Sequence, residues 1–128
     1  MKKRCILLFV SLTAMISLMT CLAFALTHTR TASLGDCNVT AKNNVEDTTG
    51  YARVSTDKRE ASAGLDSTYY YVDPSTNVVS SQRNYGTQQQ GYSANFTAPG
   101  SCRTVQIITS YAVEYLGQFW RTSMTTIR

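Results

Sequence analysis

His28 is the one histidine in the sequence, and it sits in the polar run "LTHTRTASLG". A Ser-His-Asp or Cys-His centre needs a base held by packing, and nothing in this run supplies it. Paired carboxylates could hydrolyse glycosidic bonds. Asp57, Glu60, Asp66, Asp73 and Glu114 are the candidates, but they are scattered through turns or face a basic residue. No His, Cys and carboxylate spacing suits zinc. "DPSTN" offers one carboxylate where a calcium loop needs several, and no phosphate-cradling glycine loop occurs. These residues predict a non-catalytic protein with no metal and no cofactor.

The remaining reactive groups are thiols, and their meaning depends on compartment. Lys2, Lys3 and Arg4 precede an uncharged, mostly apolar run from Ile6 to Ala25 that ends Ala23-Phe24-Ala25. That is the pattern of a secretory signal peptide, a short helix cleaved after Ala25. Two alternatives stay open: an uncleaved membrane anchor over residues 6–25, and lipidation at Cys21. Cys5 and Cys21 lie within this segment, which leaves Cys37 and Cys102. In an exported chain two cysteines most simply form one disulfide; two free buried thiols are the alternative. A bridge closing about 65 residues would stabilise the fold by ~4 kcal/mol in the chain-entropy view.

Export also changes the charge. The whole chain carries +4, but three of its twelve basic side chains lie in the signal. Nine basic and eight acidic groups remain over residues 26–128, a net charge of +1. Nucleic acid is therefore not an expected partner, and a membrane is expected only through an uncleaved signal segment.

The elements that must position any surface are short strands. Residues 26–35 are polar and aperiodic, which predicts a flexible lead-in. From residue 36 to 128 no segment holds a helical period over three turns, and the sequence is rich in Thr, Ser, Val and Tyr. About seven strands are expected, near 37–45, 50–56, 62–73, 78–85, 90–97, 101–115 and 118–127. Asp73-Pro74 and Ala98-Pro99-Gly100 mark turns between them. The fold class is all-β: one small antiparallel β-sandwich, immunoglobulin-like in size, with a small barrel as the alternative.

Parity then sorts the aromatics. Tyr92, Ala94 and Phe96 share one face of their strand. Within "SYAVEYLGQFW", Tyr111, Val113, Tyr115 and Trp120 share the face expected to be core, and Phe119 lies on the other. A type II′ turn starting at Gly117 is the expected hairpin, because the rival type I′ turn forces Leu116 to positive φ. It would pair Tyr115 with Trp120 and Glu114 with Arg121. Cys102 falls on the polar face, so a bend or bulge near the start of the 101–115 strand is expected if it bonds across the sandwich. Tyr69, Tyr70 and Tyr71 cannot all point inward. Together with Tyr85 and Phe119 they are the candidate surface-contact residues.

The signal segment, the Tyr69 to Val72 strand and the carboxy-terminal "YAVEYLGQFWRT" resemble uncharacterised small secreted β-sandwich proteins of Gram-positive bacteria. The chain also resembles secreted bacteriocins with β-sandwich folds, although it lacks their tryptophan- and glycine-rich start. Neither resemblance carries site residues over. The expected function is a secreted, non-catalytic interaction module, with cell-wall or extracellular polysaccharide or another protein as candidate partners. A bacteriocin-like antagonist and a carbohydrate-binding module are the alternatives.

Overall fold

The computed structural model describes residues 26–128; the expected signal peptide, with its anchor and lipidation alternatives, lies outside the described residues. Eight strands follow one another: β1 (Leu26–Leu34), β2 (Cys37–Val45), β3 (Thr49–Thr56), β4 (Ser62–Val72), β5 (Val79–Gln89), β6 (Gly91–Thr97), β7 (Arg103–Tyr115) and β8 (Gln118–Ile127). They form two antiparallel sheets, ordered β1-β2-β3-β6 and β5-β4-β7-β8, packed face to face. The all-β sandwich is as the sequence predicts, with one strand more than expected.

The extra strand is the supposed lead-in. Residues 26–34 pair along their whole length with β2, from Leu26↔Val45 to Leu34↔Cys37. The polar sequence misled because β1 is an edge strand whose side chains are mostly exposed. It contributes main-chain hydrogen bonds more than apolar burial, so periodicity is silent.

The core is built from large residues on one sheet and small ones on the other. The inner face of β5-β4-β7-β8 supplies Leu65, Tyr69, Ile107, Tyr111 and Val113; the opposite sheet offers Ala41, Ala52 and Ala94 between Val39, Val54 and Phe96. Tyr69 stacks on Phe96 with ring centroids 5.3 Å apart and planes 7° from parallel. Trp120, expected as a core residue, is only partly buried against this cluster; the two largest fully buried side chains are Tyr69 and Tyr111.

Buried polar groups are numerous and satisfied. Tyr111 donates its hydroxyl hydrogen across the sandwich to Asn43 Oδ1 on β2, and its oxygen also lies 3.0 Å from the Lys42 carbonyl. The Asn43 amide in turn donates to the Met124 carbonyl of β8 at 3.2 Å. Ser67 and Thr109 share a hydrogen bond at 2.8 Å, as do Tyr69 and Thr104 at 2.7 Å. Among the described residues, no buried side-chain nitrogen or oxygen lacks a partner. This matters because an orphaned buried polar group costs about 1–3 kcal/mol.

The expected disulfide does not form: Cys37 and Cys102 are both free thiols. The reason is topological. Cys37 opens β2 beside Asp36, whose carboxylate meets Tyr115 at the last residue of β7. Cys102 immediately precedes the first residue of that same strand. Thirteen residues of β7 lie between the two ends, about 40 Å at strand rise. A disulfide needs Cα atoms within roughly 7 Å. A bulge lies near the start of β7 even though no disulfide forms: Tyr70 pairs with Gln106 and Tyr71 with Thr104, leaving Val105 unpaired between them. It turns Thr104 and Cys102 toward the core.

The β7–β8 hairpin takes the register judged less favourable from turn chemistry. Tyr115 pairs with Gln118, Val113 with Trp120 and Glu114 with Phe119, so Leu116 and Gly117 are the turn residues. Both have positive φ, 49° and 75°, as a type I′ turn requires. The strain at Leu116 is of order 1–2 kcal/mol. The ladder outweighs it, because this register sets Met124 where its carbonyl meets Asn43. The expected Tyr115–Trp120 and Glu114–Arg121 pairs are not formed. The glycine-led turn exists elsewhere: Gly35, φ 61°, joins β1 to β2.

Two outcomes check this account. Tyr111→Phe removes the hydroxyl but keeps the ring, leaving Asn43 Oδ1 without its donor; the expected loss is about 1–3 kcal/mol, read by denaturant unfolding. Cys102→Ser should change stability by about 1 kcal/mol or less, whereas loss of a staple of this loop length would cost ~4 kcal/mol.

Candidate functional site

Strand parity distributes the five candidate contact residues over both sides of β5-β4-β7-β8. Tyr69 is fully buried, and Tyr71 packs inward beside it at 6.0 Å between centroids. Tyr69 is therefore not available to a ligand, which corrects the expectation for that residue, whereas Tyr71 is only partly buried. Tyr70 points outward on β4 and is half-buried; Tyr85 on β5 and Phe119 on β8 are 69% and 63% exposed. Both rings project from the outer face of this sheet, as do the exposed Ile108 and Ile127.

Between Tyr85 and Phe119 the sheet is scooped out. Gly64 on β4 pairs directly with Ala112 on β7, so two of the smallest side chains form the floor. Thr87 leans over Gly64 so closely that a Cβ there would lie 2.4 Å from its Oγ1. Asp66, Thr87, Ser110, Arg121 and Ser123 complete the walls of an open depression of about 600 Å³. Tyr85 is the cross-strand neighbour of Asp66, and Phe119 that of Glu114, one row further along on the other side. Three inter-strand steps and two same-face rows separate the two rings, about 20 Å on the diagonal. The site is therefore an open depression around the Gly64–Ala112 row, with Tyr85 and Phe119 on the same face, one row to either side of it and outside its lining.

Beside the depression lies an exposed ion pair. Arg83 donates from Nε to Asp66 Oδ1 at 2.8 Å and makes a second bond to the other carboxylate oxygen. The same guanidinium lies over the Tyr85 ring, 5.3 Å from its centroid. A planar fork can hold a carboxylate and an aromatic face together, and Arg83 meets both. It also holds the Asp66 carboxyl below the usual carboxylate range, which keeps it an acceptor. Arg121, directly opposite Ala112, makes no ion pair among the described residues. The depression thus offers one acceptor, one free five-donor cation and several hydroxyls, with two rings beside it.

Of the residues considered for catalysis, Asp66 lines this depression and Glu114 pairs with Phe119 on the same sheet, while His28, Asp57 and Asp73 lie elsewhere. His28 Nδ1 sits 3.2 Å from both the Thr125 carbonyl and Thr126 Oγ1, where the edges of β1 and β8 meet. Asp57 accepts from the Asn38 backbone and side-chain nitrogens, and Asp73 closes its own turn by accepting from Ser75. Among the described residues, no group of three or more His, Cys, Asp or Glu is clustered as a metal site would require. The sequence flagged the exposed aromatics but missed the depression between them. Its floor and walls come from four strands, and only the register brings Gly64, Ala112 and Arg121 into one row. No protein-family model matches the chain, and no curated protein matches it.

The titratable groups set a pH window for the fold. Asp36, Asp47, Asp57, Asp66 and Asp73 all have lowered pKa values, caused chiefly by Lys58, Arg128, the Asn38 backbone, Arg83 and Ser75 respectively. The unfolded chain takes up protons first, so this stabilisation is present above about pH 4 and is lost as pH falls through the lowered values. Burial raises Cys37, Tyr69, Tyr111 and Tyr115. These groups stay neutral in the fold while the unfolded chain ionises, so stability is full below about pH 8.5 and falls as pH rises further. A plot of Tm against pH should be flat between about 5 and 8 and decline on both sides.

Proposed function

We propose that this protein acts outside the cell as a non-catalytic interaction module, with the outer face of β5-β4-β7-β8 as its recognition surface. The observation that carries this reading is the open depression lined by Asp66 and Arg121, with the exposed rings of Tyr85 and Phe119 flanking it on the same face and Arg83 bonded to Asp66 beside it. A bound molecule that covers both rings removes apolar surface from water, about 25 cal/mol for each Å². The carboxylate and guanidinium select groups that can both donate and accept hydrogen bonds.

That combination favours an extended, hydroxyl-rich polymer, cell-wall or extracellular polysaccharide, over a compact ligand. Sugar rings present C–H faces to aromatic side chains and hydroxyls to charged ones. An open depression flanked by two rings about 20 Å apart suits a chain that enters and leaves across the face. The signal-type segment over residues 1–25 supports placing this encounter outside the cell.

Retention of the purified protein on insoluble cellulose, chitin and peptidoglycan tests the reading. Tyr85→Ala with Phe119→Ala should lower retention at least tenfold on the polymer that binds. The unfolding midpoint should barely move, because both side chains are exposed. Undiminished retention of the double variant would place binding on another surface. Growth inhibition of neighbouring cells with no polysaccharide retention would identify an antagonist instead.

A further inference from the structure

The outer face of the other sheet carries an arrangement that its own fold does not explain. Lys42 on β2 is the direct cross-strand partner of Arg53 on β3. Directly opposed side chains on one face have Cβ atoms about 4.5–5.5 Å apart, and like charges placed so are destabilising. Four of the nine basic residues between 26 and 128 have carboxylate partners: Lys58, Arg83, Arg103 and Arg128. Lys42 and Arg53 have none among the described residues, and they are set against each other.

No carboxylate shares their stretch of sheet. Glu46, at one end of β2, accepts from Asn44 and Thr49. Asp57, at the other end, is bonded to Asn38. What surrounds the two cations is a set of neutral donors. Tyr51, Ser93 and Asn95 line a shallow hollow of about 350 Å³ with them, and Arg53 pairs directly with Ser93. The Lys42 ammonium lies 5.8 Å from the centre of the Tyr51 ring, which holds it on this side of the sheet.

We infer that Lys42 and Arg53, with Ser93 and Asn95, form a binding site for a tetrahedral oxyanion, the phosphate or sulfate ester of an anionic polysaccharide or polyol. Two cations on one side of an ester oxygen set relieve their mutual repulsion when the anion arrives. The guanidinium supplies a planar two-donor fork and the ammonium a point charge. The hydroxyl and amide beside them reach the sugar or polyol that carries the ester.

A lipid surface fits less well. The large hydrophobic side chains that are exposed include Val79, Tyr85, Ile108, Phe119 and Ile127 on the opposite sheet, and none projects from this face. An interfacial membrane site needs apolar side chains to enter the bilayer beside its cations. A nucleic acid fits less well too, because a net charge of +1 over residues 26–128 gives no basic stripe to follow a duplex. The site is separate from the depression on the other sheet, and its failure leaves that surface untouched.

Titration of the purified protein with sulfated dextran, neutral dextran and inorganic phosphate tests the inference. Lys42→Gln with Arg53→Gln should weaken sulfated dextran binding at least tenfold. Arg30→Gln with Arg59→Gln removes the same charge elsewhere and should change it less than threefold. Millimolar phosphate should raise the unfolding midpoint of the parent protein and not that of K42Q/R53Q. The Tyr85 and Phe119 variant should bind sulfated dextran as the parent does. K42Q/R53Q relieves a repulsion, so its own midpoint in phosphate-free buffer should equal or exceed the parent's, and the single variants should each weaken binding. Equal losses in the two charge-removal variants, or none in K42Q/R53Q, would overturn the site. Phosphate binding without polymer binding, or a DNA duplex bound as tightly as the polymer, would overturn the assigned ligand.

Discussion

The bond from Tyr111 to Asn43 is the contact on which the two sheets depend. Both residues are fully or nearly fully buried, and they come from different sheets. Apolar packing would let the sheets slide, because dispersion and burial have little direction. A hydrogen bond has direction, and its loss inside the core leaves a group without water or partner. Asn43 then passes the constraint on to β8 through the Met124 carbonyl, so β2, β7 and β8 are fixed together. The strained Leu116 turn is a consequence: the hairpin accepts an unfavourable φ so that β8 arrives in the register the core requires.

The sandwich's margins follow the same logic with weaker groups. On one side His28 and Arg30 of β1 bond to Thr125, Thr126 and Thr122 of β8. On the other, Gln82 of β5 donates to the Thr97 carbonyl of β6, and the Tyr92 ring packs against Gly86, where a Cβ would lie 2.5 Å from it. Each exposed edge is thereby held to the edge of the partner sheet, which leaves the two outer faces as the surfaces free to meet other molecules. One of them is scooped and aromatic; the other is rich in hydroxyls with two opposed cations. Asp47 closes the end of the sandwich by accepting from both Arg103 and Arg128, so the segment after β8 is tied to the β2–β3 hairpin.

Free thiols in a domain of this size are consistent with that construction. A small all-β domain often needs a covalent staple because its core is thin. Here the buried Tyr, Asn, Ser and Thr groups supply satisfied, directional contacts between and within the sheets. Cys37 is buried and its thiol pushed up by desolvation, so it behaves as a small apolar side chain.

Strand boundaries and faces were legible because side-chain period is local: 37–45 and 118–127 needed only alternation and turn residues. The exposure of Phe119 and the inward turn of Tyr111 follow from the same parity. By itself the sequence therefore determined an all-β chain and which residues share a side, but not every turn: β5 runs on through Gln89, and the β7–β8 turn falls on Leu116–Gly117. It could not reveal β1, whose polar residues gain stability from main-chain pairing with β2. Nor could it separate two hairpin registers with identical parity, or see that β7 holds Cys37 and Cys102 at opposite ends. Only the tertiary structure decided those, and with them the depression and the Lys42–Arg53 pair, because each joins residues from strands whose register is fixed by contacts across the core.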